Sequence, residues 1–160
     1  MRTEQEVNLA LDNYADMVQR ICFCHLKNEA DTEDIFQEVF LKYMTYKGEF
    51  SSREHEKAWM IRVTINACKD VLKKFFRKNV VSIDTIPETY KEEADYSDIR
   101  QAVLELPEKY RDVIYLHYYE QYSAPEIARI LGAKENTVYS ILSRGRDMLK
   151  TRLGGDGYGR

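Results

Sequence analysis

The sequence is poor in the residues that make tight turns, with seven Gly and three Pro in 160 residues. That scarcity argues against an all-β fold stitched by short loops. It has no apolar run of the roughly 18 residues that a membrane span needs, so no membrane insertion is expected. The opening stretch MRTEQEVNLALDNYADM lacks the apolar centre of a secretion signal. Three cysteines are an odd number, which argues against a disulfide framework and for a reducing, cytoplasmic setting. There is no P-loop, no Gly-rich dinucleotide turn and no HExxH motif. An enzyme therefore has no residues to rest on, and no cofactor is expected. What remains is 44% hydrophobic residues, enough for a core, in a length that suits one compact domain or two small ones.

A formal net charge of −3 conceals a blockwise distribution. Residues 1–50 hold 5 basic and 10 acidic residues, and residues 51–80 hold 8 basic and 3 acidic. Residues 81–106 hold 2 and 7, and residues 107–160 hold 9 and 7. Alternating acidic and basic blocks fit separate surfaces for a cationic and an anionic partner, although solvated helix faces account for any single block equally well.

Hydrophobic periodicity predicts an all-α chain. Val7, Leu11, Tyr14, Val18 and Ile21 form one stripe of a helix over 5–27. Asp31 is the expected N-cap of a second helix running to about Tyr46, with Ile35, Val39 and Tyr43 inward. After a loop at 47–52, a third helix spans about 54–78. Its core seam is Ala58, Ile61, Ile65, Cys68, Leu72 and Phe75. A basic stripe, Arg62, Asn66, Lys69 and Lys73, lies beside it, with Trp59 at its N-terminal end. Residues 80–97 lose the period, contain Pro87 and are acidic, so they are expected to be a flexible linker.

The second domain, 98–153, opens with a short helix carrying Ile99, Ala102, Val103 and Leu106. Pro107 suits the first turn of the next helix, which carries Tyr110, Val113, Ile114 and His117. Ser123 and Glu126 form a capping box, Gly132 ends the helix that follows, and a last helix buries Val138, Ile141, Leu142, Gly145, Met148 and Leu149. Two helices around a Gly-containing turn at 123–150 read as a helix-turn-helix. Its second helix turns Asn136, Thr137, Tyr139, Ser140, Ser143 and Arg144 outward, where hydroxyl, amide and guanidinium groups match base edges and phosphates. Residues 154–160 read as a flexible tail.

Three segments, in this order, resemble the extracytoplasmic-function (ECF) sigma factors of bacterial RNA polymerase. Residues 34–41, DIFQEVFL, resemble region 2.2, and residues 59–70, WMIRVTINACKD, resemble regions 2.3–2.4. Residues 99–150 resemble region 4. The resemblance implies a region 2-like domain over 1–79 and a region 4-like domain over 98–153. It implies that Asp34, Gln37, Glu38 and Leu41 grip the beta-prime clamp helices of core polymerase. Phe50, Ser51, Ser52 and Arg53 match the loop that captures a flipped base of the −10 element. Trp59, Arg62, Asn66, Lys69 and Lys73 match the −10 contacts, and the outward residues of the last helix match the −35 contacts. The implied partners are core polymerase, the beta flap included, promoter DNA and an anti-sigma factor.

Departures from the pattern accompany the likeness. Tyr139 and Ile141 stand where the family often has basic residues, Lys134 stands where an N-cap acceptor is expected, and Trp59-Met60 stands where primary sigma factors carry a Trp pair. Either a weaker −35 affinity or an unusual −35 sequence is expected, together with a weaker melting wedge and strict promoter dependence. Two other readings stay open at this point. One is a free-standing helix-turn-helix regulator. The other is a metal or thiol sensor built on Cys22, Cys24, His25 and Cys68, although Cys22 and Cys24 point about 200° apart on a helix. The tyrosines at 115, 118, 119 and 122 are expected in core and interface.

Overall fold

The computed structural model of the protein describes residues 1–79 and 98–154. All regular structure among them is helical. The chain divides into two compact units, Met1–Glu93 and Ala94–Arg160. The expected linker at 80–97 and the tail at 155–160 lie outside the described residues.

The first unit packs three helices against one another: α1 (Glu4–Leu26), α2 (Glu29–Thr45) and α3 (Arg53–Asn79). Tyr14, Val18 and Ile21 of the expected stripe are buried, whereas Val7 and Leu11 are half-buried near the exposed start of α1. Ile35, Val39 and Tyr43 of α2 and Ile61, Ile65 and Cys68 of α3 are buried as well, where the three helices pack together. Each fully buried aliphatic chain contributes roughly 1.5–3 kcal/mol. The basic α3 is therefore fixed in rotation by its apolar seam.

The α1–α2 corner corrects one expectation. Lys27 adopts the left-handed conformation (φ 59°) and its N–H bonds to Phe23 O at 2.8 Å. Asn28, not Asp31, caps α2: Asn28 Oδ1 accepts the Asp31 N–H at 2.9 Å. Asn28 is buried, and its amide also donates to Leu26 O, which fixes the corner from both sides. Asp31 lies in the first turn, where a carboxylate complements the helix dipole.

The second unit holds α4 (Asp98–Leu104), α5 (Glu108–Ile114), a π-helical turn (Tyr115–Tyr119), α6 (Ala124–Leu131) and α7 (Glu135–Arg152). α7 packs against α4, α5 and α6. At its closest approach to α5, Gly145 faces Ile114, whose Cδ1 lies 3.1 Å from the place a Cβ would take. Pro107 precedes α5 rather than opening its first turn. The tyrosine cluster, expected in core and interface, lies at the surface side of that range. Tyr118 and Tyr119 are 51% and 56% exposed and Tyr115 and Tyr122 are half-buried, so the core tyrosine here is Tyr110. The π-helical turn shifts the side-chain phase and turns Tyr118 and Tyr119 outward.

Candidate protein and nucleic-acid interfaces

Three surfaces collect the residues singled out from the sequence. On α2, Asp34, Gln37, Glu38 and Leu41 are all exposed, while Ile35, Val39 and Phe40 between them are buried. Leu41 is 58% exposed, a large apolar side chain on an otherwise polar face. Glu38 pairs with Lys42 at 3.0 Å, one turn along. Both groups are half in solvent, so the pair contributes little to stability and its acid remains accessible.

The second surface is the loop between α2 and α3 with the start of α3. Ser51, Ser52 and Arg53 are exposed. Ser52 Oγ accepts the His55 N–H at 3.1 Å, and His55 Nδ1 accepts the Ser51 N–H at 3.0 Å. This reciprocal pair closes the helix start as a capping box does, with an imidazole in place of the usual carboxylate. Phe50 is half-buried and central to a ring cluster. Its centroid lies 6.2 Å from Tyr43, 5.5 Å from Tyr46, 5.6 Å from Trp59 and 5.3 Å from His55. Trp59 is half-buried against Tyr46 at 4.8 Å and Tyr43 at 6.1 Å. Along α3, Arg62, Asn66 and Lys73 are exposed and Lys69 is half-buried. Met60 is wholly buried, and its carbonyl accepts the Thr64 hydroxyl. It adds nothing to a surface wedge, so Trp59 stands alone there.

Beneath this surface lies a tie that the sequence reading missed. Glu56 accepts a hydrogen bond from Tyr14 on one carboxylate oxygen (2.9 Å) and from Tyr43 on the other (2.8 Å). Burial, then the bond to Glu56, pushes the Tyr43 hydroxyl up to about 12. The same causes push Tyr14 well above its ordinary value. The three residues come from three helices, so no local spacing announces them.

The third surface is the helix-turn-helix. Ser123 Oγ accepts the Glu126 N–H at 3.3 Å and Glu126 Oε1 accepts the Ser123 N–H at 2.9 Å, the expected box. The bond from the Ser123 N–H, and then the Ser123 side chain, hold the Glu126 carboxyl below its usual range. Gly132 ends α6 in the left-handed conformation (φ 68°). Lys134 precedes α7 with no side-chain cap, as expected. Asn136, Thr137, Tyr139, Ser140, Ser143 and Arg144 are all exposed, Tyr139 at 54%, and Ile141 is half-buried toward the core. Arg146, not singled out beforehand, donates to the Tyr118 hydroxyl at 2.8 Å.

Among the described residues no group of three His, Cys, Asp or Glu is placed to hold a metal ion. Cys22 and Cys68 are buried and Cys24 is half-buried. No helix among the described residues is long and apolar enough to cross a membrane.

Comparison with known proteins shows the family. Residues 10–78 match the family Sigma-70 region 2, and residues 96–149 match Sigma-70, region 4. The RNA polymerase sigma factor SigV of Bacillus subtilis is 30% identical over 137 residues, covering 84% of this chain and 82% of that protein. The ECF RNA polymerase sigma factor SigW of the same organism is 29% identical over 161 residues, covering 89% and 86%. The sigma factor RpoE of Bartonella quintana, solved with the anti-sigma factor NepR, shares the fold with a TM-score of 0.73 at 22% identity, over 95% of this chain and 99% of that one. CnrH, solved with the cytosolic domain of CnrY, does so with a TM-score of 0.68 at 17% identity, over 97% and 92%. The chain belongs to the ECF sigma factors of the sigma-70 family. It is a transcription initiation factor, and its partners are core RNA polymerase and promoter DNA.

Proposed function

We propose how the three surfaces divide this work. The region 2-like domain, 1–79, docks on core polymerase through Asp34, Gln37, Glu38 and Leu41, and the matching patch is the basic clamp-helix coiled coil of the beta-prime subunit. Supporting this is the joint exposure of three polar side chains and Leu41 over the buried Ile35, Val39 and Phe40. An acidic face with one apolar anchor suits a cationic helical partner. This single observation carries the reading.

The loop residues Ser51, Ser52 and Arg53 receive an unstacked −10 base, with Phe50 supporting the loop from below. Arg62, Asn66 and Lys73 follow the strand along α3, and Lys69 adds its charge from a less exposed position. Trp59 offers an aromatic edge at the junction. The region 4-like domain, 98–153, lays α7 in the −35 major groove, where Asn136, Thr137, Tyr139, Ser140, Ser143 and Arg144 contact bases and phosphates. It also meets the beta flap. The acidic segment 80–97 links the two domains. An anti-sigma factor is a further partner, as RpoE is solved in complex with the anti-sigma factor NepR. The chain works in the cytoplasm, beside the polymerase, and catalyses no covalent step itself.

The test is transcription by core polymerase with and without the chain, on duplexes randomised over the two promoter elements. Transcripts sharing two spaced elements are expected only with the chain present. Binding of a single operator by the chain alone, with no effect on polymerase, would make it a free-standing helix-turn-helix regulator instead.

A further inference from the structure

The residues before α1 are strapped across the α2–α3 loop by one side chain. The Arg2 backbone N–H donates to Met44 O at 3.0 Å. Its Nη2 donates to Gly48 O at 2.7 Å. Its guanidinium carbon lies 4.8 Å from the Tyr43 ring centroid, 4.9 Å from that of Phe50 and 6.0 Å from that of Tyr46. Nη1 lies 3.9 Å from the Glu6 carboxylate. One residue thus bridges the last turn of α2, the middle of the loop and the ring that ends it. The side chain is only 15% exposed, unusual for an arginine on a small helical unit.

The receiving site suits a flat, delocalised cation. The Tyr43 and Phe50 rings are parallel within 3°, and a guanidinium stacks on ring faces while its fork still reaches a carbonyl. Gly48 completes the arrangement. The Tyr46 ring occupies the space a Cβ on Gly48 would need, so any larger residue there must displace that ring.

We propose that Arg2 is a positioning residue for −10 recognition: it sets the conformation of loop 46–50 and so places Ser51, Ser52 and Arg53 for an unstacked base. This rests on the reading of 50–53 as the loop that meets DNA. Without the strap the loop keeps its ring contacts but loses a charge-assisted bond and the cation over two rings. Fewer molecules then hold the binding-competent conformation, and apparent affinity falls by that fraction. None of the partners named here belongs to the exposed face of α2 or to α7, so core docking and −35 contact stay unchanged.

The experiment uses the full chain assembled with core polymerase. The probe is the nontemplate single-stranded −10 oligonucleotide that the wild-type holoenzyme selects from a randomised pool. Arg2→Gln is expected to weaken oligonucleotide binding about tenfold with core affinity unchanged, and Arg2→Lys, which keeps the cation without the fork, to fall between the two. Trp59, the one tryptophan in the chain, reports the ring cluster, and its emission shifts in Arg2→Gln. Equal oligonucleotide binding by wild type and Arg2→Gln overturns the proposal. Parallel loss of core and oligonucleotide binding also overturns it, since Arg2 then merely stabilises the whole unit. A wild-type holoenzyme that selects no −10 sequence overturns the underlying reading of the loop instead.

Discussion

The Tyr43 hydroxyl donates to Glu56 at 2.8 Å and thereby ties the helix with the acidic face to the helix with the basic one. Tyr14 completes the tie from α1. Glu56 lies three residues before Trp59 and six before Arg62, so the carboxylate fixes the rotation of the segment proposed to meet DNA. Both carboxylate oxygens are used, and each bond is charge-assisted.

Removing parts of this tie gives a graded series. Tyr43→Phe is expected to cost about 1 kcal/mol of stability, and Glu56→Ala, which leaves two phenols without their acceptor, about 2–3 kcal/mol. Glu56 is half-buried, so the smaller end of that range is expected for it. Denaturant unfolding followed by Trp59 emission checks both. Equal, negligible losses would mean that water replaces the carboxylate without cost.

The same tie gives a pH dependence. The Tyr43 hydroxyl is raised from 10.0 to about 12 in the folded chain, so the unfolded chain loses that proton first. Its contribution is complete below pH 10 and declines as pH rises through 10 to 12. Tyr14, raised in the same direction, acts in the same sense. Alkaline unfolding of the wild type should begin at lower denaturant as pH rises through that window. Tyr43→Phe should show a shallower decline. An identical decline in the variant would contradict the assignment.

Gly48→Ala tests the ring cluster from another side. The added methyl must displace the Tyr46 ring from its place by Trp59. Tyr46 is 36% exposed and its ring contacts are made by a side-chain tip that can turn toward solvent, so the stability cost should stay near 1 kcal/mol. The signature is a shifted Trp59 emission together with weaker −10 binding. Unchanged emission would mean that the loop backbone moves instead.

In the second unit, Ser123→Ala removes the hydroxyl that accepts the Glu126 N–H, keeps the bond from the residue 123 N–H to the Glu126 carboxylate, and is expected to cost about 1 kcal/mol. The Glu126 carboxyl is held low first by the Ser123 backbone N–H and then by the Ser123 side chain, so in the variant it rises only part of the way to its ordinary value. A low folded-state value stabilises at neutral pH and is lost as pH falls through it, so the variant should lose less stability on acidification than the wild type. Thermal melts at neutral and acid pH decide this.

What the sequence disclosed and what it hid divide along the range of the interactions. The helices were legible because Ile61, Ile65 and Cys68, or Val138, Leu142 and Gly145, recur at helical steps. The box at Ser123 and the turn at Gly132 were legible because their partners lie within three or four residues. The exposed face at Asp34–Leu41 followed from the same period. The α2 cap was misplaced by three residues because Asn28 and Asp31 both suit a cap, and burial of Asn28 among tertiary neighbours decides between them. Arg2 on Gly48 and Tyr14 on Glu56 join residues more than forty apart. No periodic pattern encodes such pairs.

The central claim is that α2 docks on polymerase, and a titration of the full chain against isolated beta-prime clamp helices tests it most directly. The wild type is to be compared with a Gln37→Ala/Glu38→Lys double variant, whose changes lie on exposed positions and leave the core intact. The account predicts wild-type binding that weakens at least about tenfold in the variant, because a charge is reversed against a basic partner. Well-folded wild type that fails to bind, or a variant that binds equally, would contradict it.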